Sequence, residues 1–218
     1  MINTKSIFFV LIVTATVVSQ GQIVASDSVT VVPGNHYQAG PIKRFLFGDH
    51  WRDLWALPVT VPVLDLERTA GGLAPTKRGG GFQTRSLQFI GHDGKEYKFC
   101  SLNKDPGRLL PEELLDTFVK DLVQDQISWT HPFSAVIAAP IVEAAGILQA
   151  TPRMVVLPNS PMLGDFQKDF GGVLGTFEEN PDDKGPIVFA GADKIKGSYS
   201  LIRELDDDND EVVDAKEF

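Results

Sequence analysis

The stretch FQTRSLQFIGHDGKEYKFCSLN, residues 82–103, limits the fold more than any other part of the chain. Polar and apolar residues alternate on both sides of HDGK, and Asp93 and Gly94 suit the tight turn that folds one run back on the other. A β-hairpin follows. Three consecutive glycines, Gly79, Gly80 and Gly81, stand behind the basic pair Lys77 and Arg78 at the entrance to this hairpin. Glycine alone enters positive φ without steric penalty, so the triplet is either a flexible turn or a loop whose amides lie against phosphates.

The flanking sequence sets the fold class. LPEELLDTFVKDLVQDQISWTHP puts Pro111 at a first-turn position with Glu112 and Glu113 after it. Leu114, Leu115, Phe118, Leu122 and Ile127 then form a helical stripe. A second helix is expected over 133–148. RMVVLPNSP reads as a buried strand that stops at Pro158, GPIVFAGADKI as a weaker strand or loop, and 199–205 as a short helix. Residues 26–75 are dense in proline, glycine and aromatics without a helical period, and read as irregular chain wrapping the domain, with a short strand over 59–66. The order of hairpin, long helix, helix and strand is α+β. The chain divides into a leader over 1–25, the wrapping segment 26–75, a hairpin and helix core over 76–160, and a strand and loop region over 161–218 that ends in an acidic turn.

The leader reads MINTKSIFFVLIVTATVVSQGQIVAS: Lys5 is a positive n-region, residues 7–18 are apolar, and small residues near Ser19, Gly21 and Ala25 offer cleavage positions. That pattern predicts a secretory signal and an exported chain. The alternative is an uncleaved anchor, for which the apolar run is short of the ~20 residues a spanning helix needs. Removal of the signal leaves no transmembrane span. The only cysteine, Cys100, has no internal disulfide partner and reads as a buried strand thiol. An apolar fraction of 43% over 218 residues argues against disorder throughout. The net charge of −9 is concentrated between Glu204 and Glu217, where eight acids face Lys216 alone. The remainder is nearly neutral and offers no broad basic face for nucleic acid.

No P-loop or dinucleotide spacing is present. What the order of elements does match is the protein-kinase arrangement, in which a glycine-rich turn joins two antiparallel strands over phosphates and a lysine follows. Gly79, Gly80, Gly81 and then Lys104 fall in that order, with Lys98 a competing lysine. Asp125 or Glu113 on the long helix is the acid that would hold the lysine. GDHWRDLW holds His50, Arg52 and Asp53 in an order that resembles a kinase catalytic loop. It precedes the glycines, however, and reads better as Trp51, Leu54 and Trp55 packing the domain with Arg52 and Asp53 as a local ion pair. At the C-terminus, Asp206, Asp208, Asp210, Asp214 and Glu217 occupy positions one, three, five, nine and twelve of a calcium loop. Position six is Glu211 instead of glycine, so a solvated acidic turn stands beside the calcium reading. His36, His50, His92 and His131 show no zinc-ligand spacing.

Several runs together carry a resemblance: KRGGG at 77–81, EYKFCSLNKDP at 96–106, LVQDQISWTHP at 122–132, VVLPNSPMLGDF at 155–166 and GGVLGTFEE at 171–179. From Tyr37 onward the chain resembles a poorly characterised family of exported bacterial proteins. Its longer members continue into a kinase-like catalytic segment, and some carry a calcineurin-like phosphoesterase domain or an outer-membrane surface-antigen barrel. The resemblance implies an incomplete kinase-like N-terminal lobe, probed by Lys104 at the family's DKDP lysine and by Gln124 to Ser128 at its QDQIS. Asn103 replaces an expected acid, and Cys100 an expected arginine. It further implies a nucleotide-covering part that is inactive alone, and ATP with magnesium only when a downstream catalytic segment supplies the acids. The partner would be that segment or a cell-envelope protein, in the periplasm or at the outer membrane. A scaffold module of a surface-antigen assembly and a weak calcium binder through 206–217 are the alternatives.

Overall fold

The computed structural model describes residues 25–80, 83–182, 187–192 and 194–207. Seven strands form one sheet: β1 (Ala25–Val31), β2 (Val59–Leu64), β3 (Leu73–Gly79), β4 (Ser86–Gly91), β5 (Glu96–Ser101), β6 (Arg153–Val156) and β7 (Leu174–Glu179), in the order β1-β2-β6-β7-β5-β4-β3. Every neighbouring pair is antiparallel except β2 and β6, which meet in parallel at Val63 and Val156. The chain is α+β, as the order of sequence elements predicts. The expected hairpin is β4 and β5. Its turn is closed by the Gly91 N–H donating to the Lys95 carbonyl at 2.9 Å, with Gly94 at a φ of 82°.

Alternation along the strands separates two faces. Leu87, Phe89, Tyr97, Phe99, Val155 and Phe177 point to one side, where Leu163 and Phe170 cover them. Phe170 comes from the short helix α5 (Gln167–Phe170). The aromatic rings interlock: Tyr97 stacks on Phe177 at 5.4 Å between centroids, and Phe99 meets Phe170 edge to face. On the other side lie Ser86, Cys100, Thr176 and Met154, which follow one another across β4, β5, β7 and β6 in register. Over this side lies a smaller cluster of Tyr37, Trp55 and Ile127, with Leu102 against it.

The remaining helices are α1 (Pro41–Phe47), α2 (Arg52–Trp55), α3 (Phe118–Asp125), α4 (Ser134–Ala144) and α6 (Ser198–Asp207). The segment expected as irregular wrapping holds its one expected strand as β2, and besides it contains α1, α2 and most of β1. Strands from all three segments that follow the leader enter the same sheet. The long helix expected from Pro111 is interrupted. Thr117 adopts an extended conformation, and its hydroxyl accepts the Val119 N–H at 3.3 Å, so α3 starts afresh at Phe118. The predicted stripe therefore does not seat as one face: Ile127 is buried while Phe118 is largely exposed. β7 was not expected as a strand, yet it lies between β5 and β6 near the middle of the sheet. Gly175 explains both facts. It lowers strand propensity, and it is required because a Cβ there would fall 2.3 Å from the Cys100 carbonyl oxygen.

Candidate functional site

The glycine turn connects β3 to β4, so glycines do join two antiparallel strands. Their local requirement is internal. Gly80 has a φ of +84°, and a Cβ on it would lie 1.9 Å from the Thr84 carbonyl oxygen. A Cβ on Gly79 would crowd the Ser86 hydroxyl at 2.7 Å. Gly81 lies outside the described residues. The returning arm, 83–85, is pinned to the chain beyond β5. The Asp105 N–H donates to the Gln83 carbonyl at 2.8 Å, and the Ser101 N–H to the Arg85 carbonyl at 2.8 Å.

That arm borders a cavity of about 240 Å³ on the polar side of the sheet. Its floor is Cys100, Thr176 and Met154, its near edge Thr84 and Lys104, and its far wall the start of α4. Phe133 caps α4 without a side-chain acceptor, the Ser134 N–H donates to the His131 carbonyl at 3.2 Å, and Ser134, Ala135 and Val136 line the cavity. His131 Nδ1 accepts the Phe133 N–H at 3.1 Å, while its ring meets Trp51 edge to face at 4.7 Å. The cavity thus combines a lysine, hydroxyl side chains and the first residues of α4 over a partly apolar floor. Burial pushes the Cys100 thiol up, despite opposing help from Lys98, so it stays a protonated, weakly reactive group.

Lys104 is half-buried, and its ammonium forms no ion pair among the described residues. Of the two competing lysines, it is Lys104 that lines the cavity; Lys98 stands opposite Gln88 and Glu178 within the sheet. The expected acid partner does not meet it. Asp125 is buried and accepts two bonds from Arg52, at 2.8 and 2.6 Å, and a third from Lys43 at 2.7 Å. The Arg52 guanidinium, and after it Lys43, hold the Asp125 carboxyl below the usual carboxylate range against the opposing effect of burial. Glu113 is exposed in a single turn ahead of α3.

Arg52 corrects a second expectation. It is 0% exposed and pairs with Asp125 instead of Asp53. Its remaining donors reach the Gly48 and Tyr37 carbonyls at 3.0 and 3.1 Å. Asp53 pairs with Arg44 on the surface, where Asp49 joins it. Trp55 packs inside as expected, whereas Trp51 is partly exposed against His131.

Sequence reasoning missed how Lys104 is held. Gln124 donates to the Lys104 carbonyl at 3.0 Å and to the Tyr37 hydroxyl at 2.6 Å, and that hydroxyl donates to Asn103 Oδ1 at 2.6 Å. Burial, partly opposed by the Gln124 hydrogen bond, pushes Tyr37 up to about 12, so the phenol keeps its proton. The QDQIS run pointed to this place, and its glutamine, next to the acid singled out, makes the contact.

Of the calcium candidates only Asp206 is described, near the end of α6. Asp208, Asp210, Asp214 and Glu217 lie outside the described residues, as do residues 1–24 of the leader. Among the described residues no three histidines, cysteines or acids gather to hold a metal, and no helix is long and apolar enough to cross a membrane. No family model matches the chain, and neither a curated protein nor a solved structure matches it.

Proposed function

We propose that this chain is an exported lobe that covers the phosphates of a nucleotide and does not by itself transfer them. The observation that carries the reading is Lys104: a half-buried lysine whose ammonium forms no ion pair among the described residues, at the edge of a cavity whose far wall is the start of α4. An anion placed there meets a cation and the positive end of the α4 dipole. The cavity is smaller than the roughly 300–1,000 Å³ of pockets that enclose a whole small ligand. It suits the phosphates and leaves base and sugar to another surface. Magnesium and the acids that hold it would come with that surface.

The test is titration of ATP into the chain while amide shifts are followed. Movement at 83–85, Lys104 and 134–136, with a Kd no tighter than roughly millimolar, is expected; that is on the order of 4 kcal/mol. Lys104→Ala removes it. Silence at all three places in the folded chain overturns the reading. Export belongs to the same proposal. Protein recovered from a cell envelope should begin between residues 19 and 27. Because β1 begins at Ala25, a cut ahead of it keeps the strand whole. An intact Met1 on a soluble cytoplasmic product overturns the export claim.

A second reading, an interaction module of a cell-envelope assembly, is favoured by one observation. α4 is almost wholly apolar yet buries only Ala139, and exposes Ile137 and Ile141 to solvent. Phe45 on α1 is 88% exposed. Exposed apolar side chains in such number are the usual mark of a surface that meets something else.

A further inference from the structure

The turn that carries Lys104 is held from three directions. The Ser101 hydroxyl donates to the Asn103 carbonyl at 2.9 Å, Tyr37 donates to the Asn103 side chain, and Gln124 donates to the Lys104 carbonyl. The Asp105 N–H then ties the same turn to Gln83 in the glycine arm. Gln124 uses both hydrogens of one amide nitrogen, on Tyr37 and on Lys104, so it is the point where the N-terminal segment, α3 and the lysine turn meet. Its neighbour Asp125 is fixed by Arg52 and Lys43, which anchors the end of α3 and leaves Gln124 little freedom to move away.

We infer that Gln124 is the positioning residue of the phosphate cavity: its carboxamide fixes the Lys104 backbone and so the place from which the ammonium meets the ligand. Gln124 touches no ligand itself. A lysine side chain has four rotatable carbons, and an anion site gains from it only when the stem leaves the backbone at a set place and angle. The chemistry required at 124 is a double donor, because both partners, a carbonyl oxygen and a phenol oxygen already donating to Asn103, are acceptors.

The inference rests on the phosphate reading, and the experiment separates the two. ATP is titrated into the full chain and into Lys104→Ala, Gln124→Glu and Tyr37→Phe, with the ε-methylene and Nζ signals of Lys104 followed beside the melting curve. Gln124→Glu keeps the shape but turns donors into acceptors, so ATP binding should weaken about fivefold, the scale of one neutral hydrogen bond, while the Lys104 signals shift before any ligand is added. Tyr37→Phe keeps the ring packed against Trp55 and removes only the hydroxyl. It should weaken binding about twofold, and it serves if the glutamate variant does not fold. If Lys104→Ala loses ATP while both folded Gln124→Glu and Tyr37→Phe bind like the parent, the positioning role is overturned and the site survives. If Lys104→Ala binds ATP undiminished, site and inference fall together.

Discussion

The two faces of the sheet are held by different physics. On one, Phe89, Phe99, Phe170 and Phe177 close an aromatic layer, and Tyr97 beside them carries its hydroxyl out to Asp93. On the other, Cys100, Thr176 and Met154 floor a cavity, and the chain above it is fastened by a buried Arg52 and Asp125 pair and by Gln124. Apolar burial is non-directional and tolerates small shifts, whereas the polar face works only if donors and acceptors from distant segments arrive together. The first face secures the fold. The second gives the cavity its shape.

The sharpest test of that division uses neighbours on β7. Phe177→Ala removes a fully buried ring and should cost about 4 kcal/mol, while Thr176→Ala, one residue away on the cavity side, should cost less than about 1 kcal/mol. Denaturant melts of the two variants measure the difference. Equal costs would show that the cavity side is as tightly packed as the aromatic side, and the contrast would be lost.

Next in size is Arg52→Ala. Removing one partner of a buried pair costs about 3–5 kcal/mol, and Lys43 remains beside Asp125, so the lower end is expected. The pH dependence has a definite sign. Asp125 has a folded-state pKa below its unfolded value of about 3.9, so its contribution is fully present above that pH and is lost as the pH falls through the folded-state value. Acid melts of Arg52→Ala should therefore flatten below about pH 4 relative to the parent. An unchanged acid limb would show that Lys43 alone holds the carboxylate.

The β4 and β5 part of the aromatic face was legible in the sequence and the polar face was not, for the same reason. Alternation in residues 86–91 and 96–101 is a local pattern, and HDGK fixes its register, so β4 and β5 follow from neighbours alone. Arg52 meeting Asp125 spans 73 residues, and no spacing rule encodes it; Asp53, one position away, offered a nearer partner for the guanidinium. Lys104 was singled out because its order after the glycines is readable, but the acid assigned to it is engaged elsewhere. β7 escaped notice because Gly171, Gly172 and Gly175 dilute the apolar pattern that marks a strand, although Gly175 is what lets β5 approach.

Gly80→Ala comes third. A non-glycine residue in the left-handed region costs about 1–2 kcal/mol, and the new Cβ would also press on the Thr84 carbonyl, so a loss near 2 kcal/mol is expected. The loss should appear in the melt without any ligand present. Loss of ATP binding in a Gly80 variant therefore says little about phosphates, because the glycine is already required by the turn's own backbone. A variant as stable as the parent would reopen the question of what the glycine is for.

The smallest expected effect falls on α4, whose start walls the cavity and whose middle faces outward. Ile141 is 69% exposed, so Ile141→Lys removes little buried area and should change stability by no more than about 0.5 kcal/mol. Isoleucine also has a lower helix propensity than lysine, which offsets part of any lost contact. The substitution leaves Ser134, Ala135 and Val136 untouched, so ATP binding at the cavity should be unaffected. Sedimentation velocity run beside the melt gives the second readout. A variant with the parent's sedimentation and stability places Ile141 on a face open to partners. A loss above about 2 kcal/mol would instead mean that the isoleucine is covered in solution, and α4 would then belong with the closed aromatic face in what it contributes to the fold.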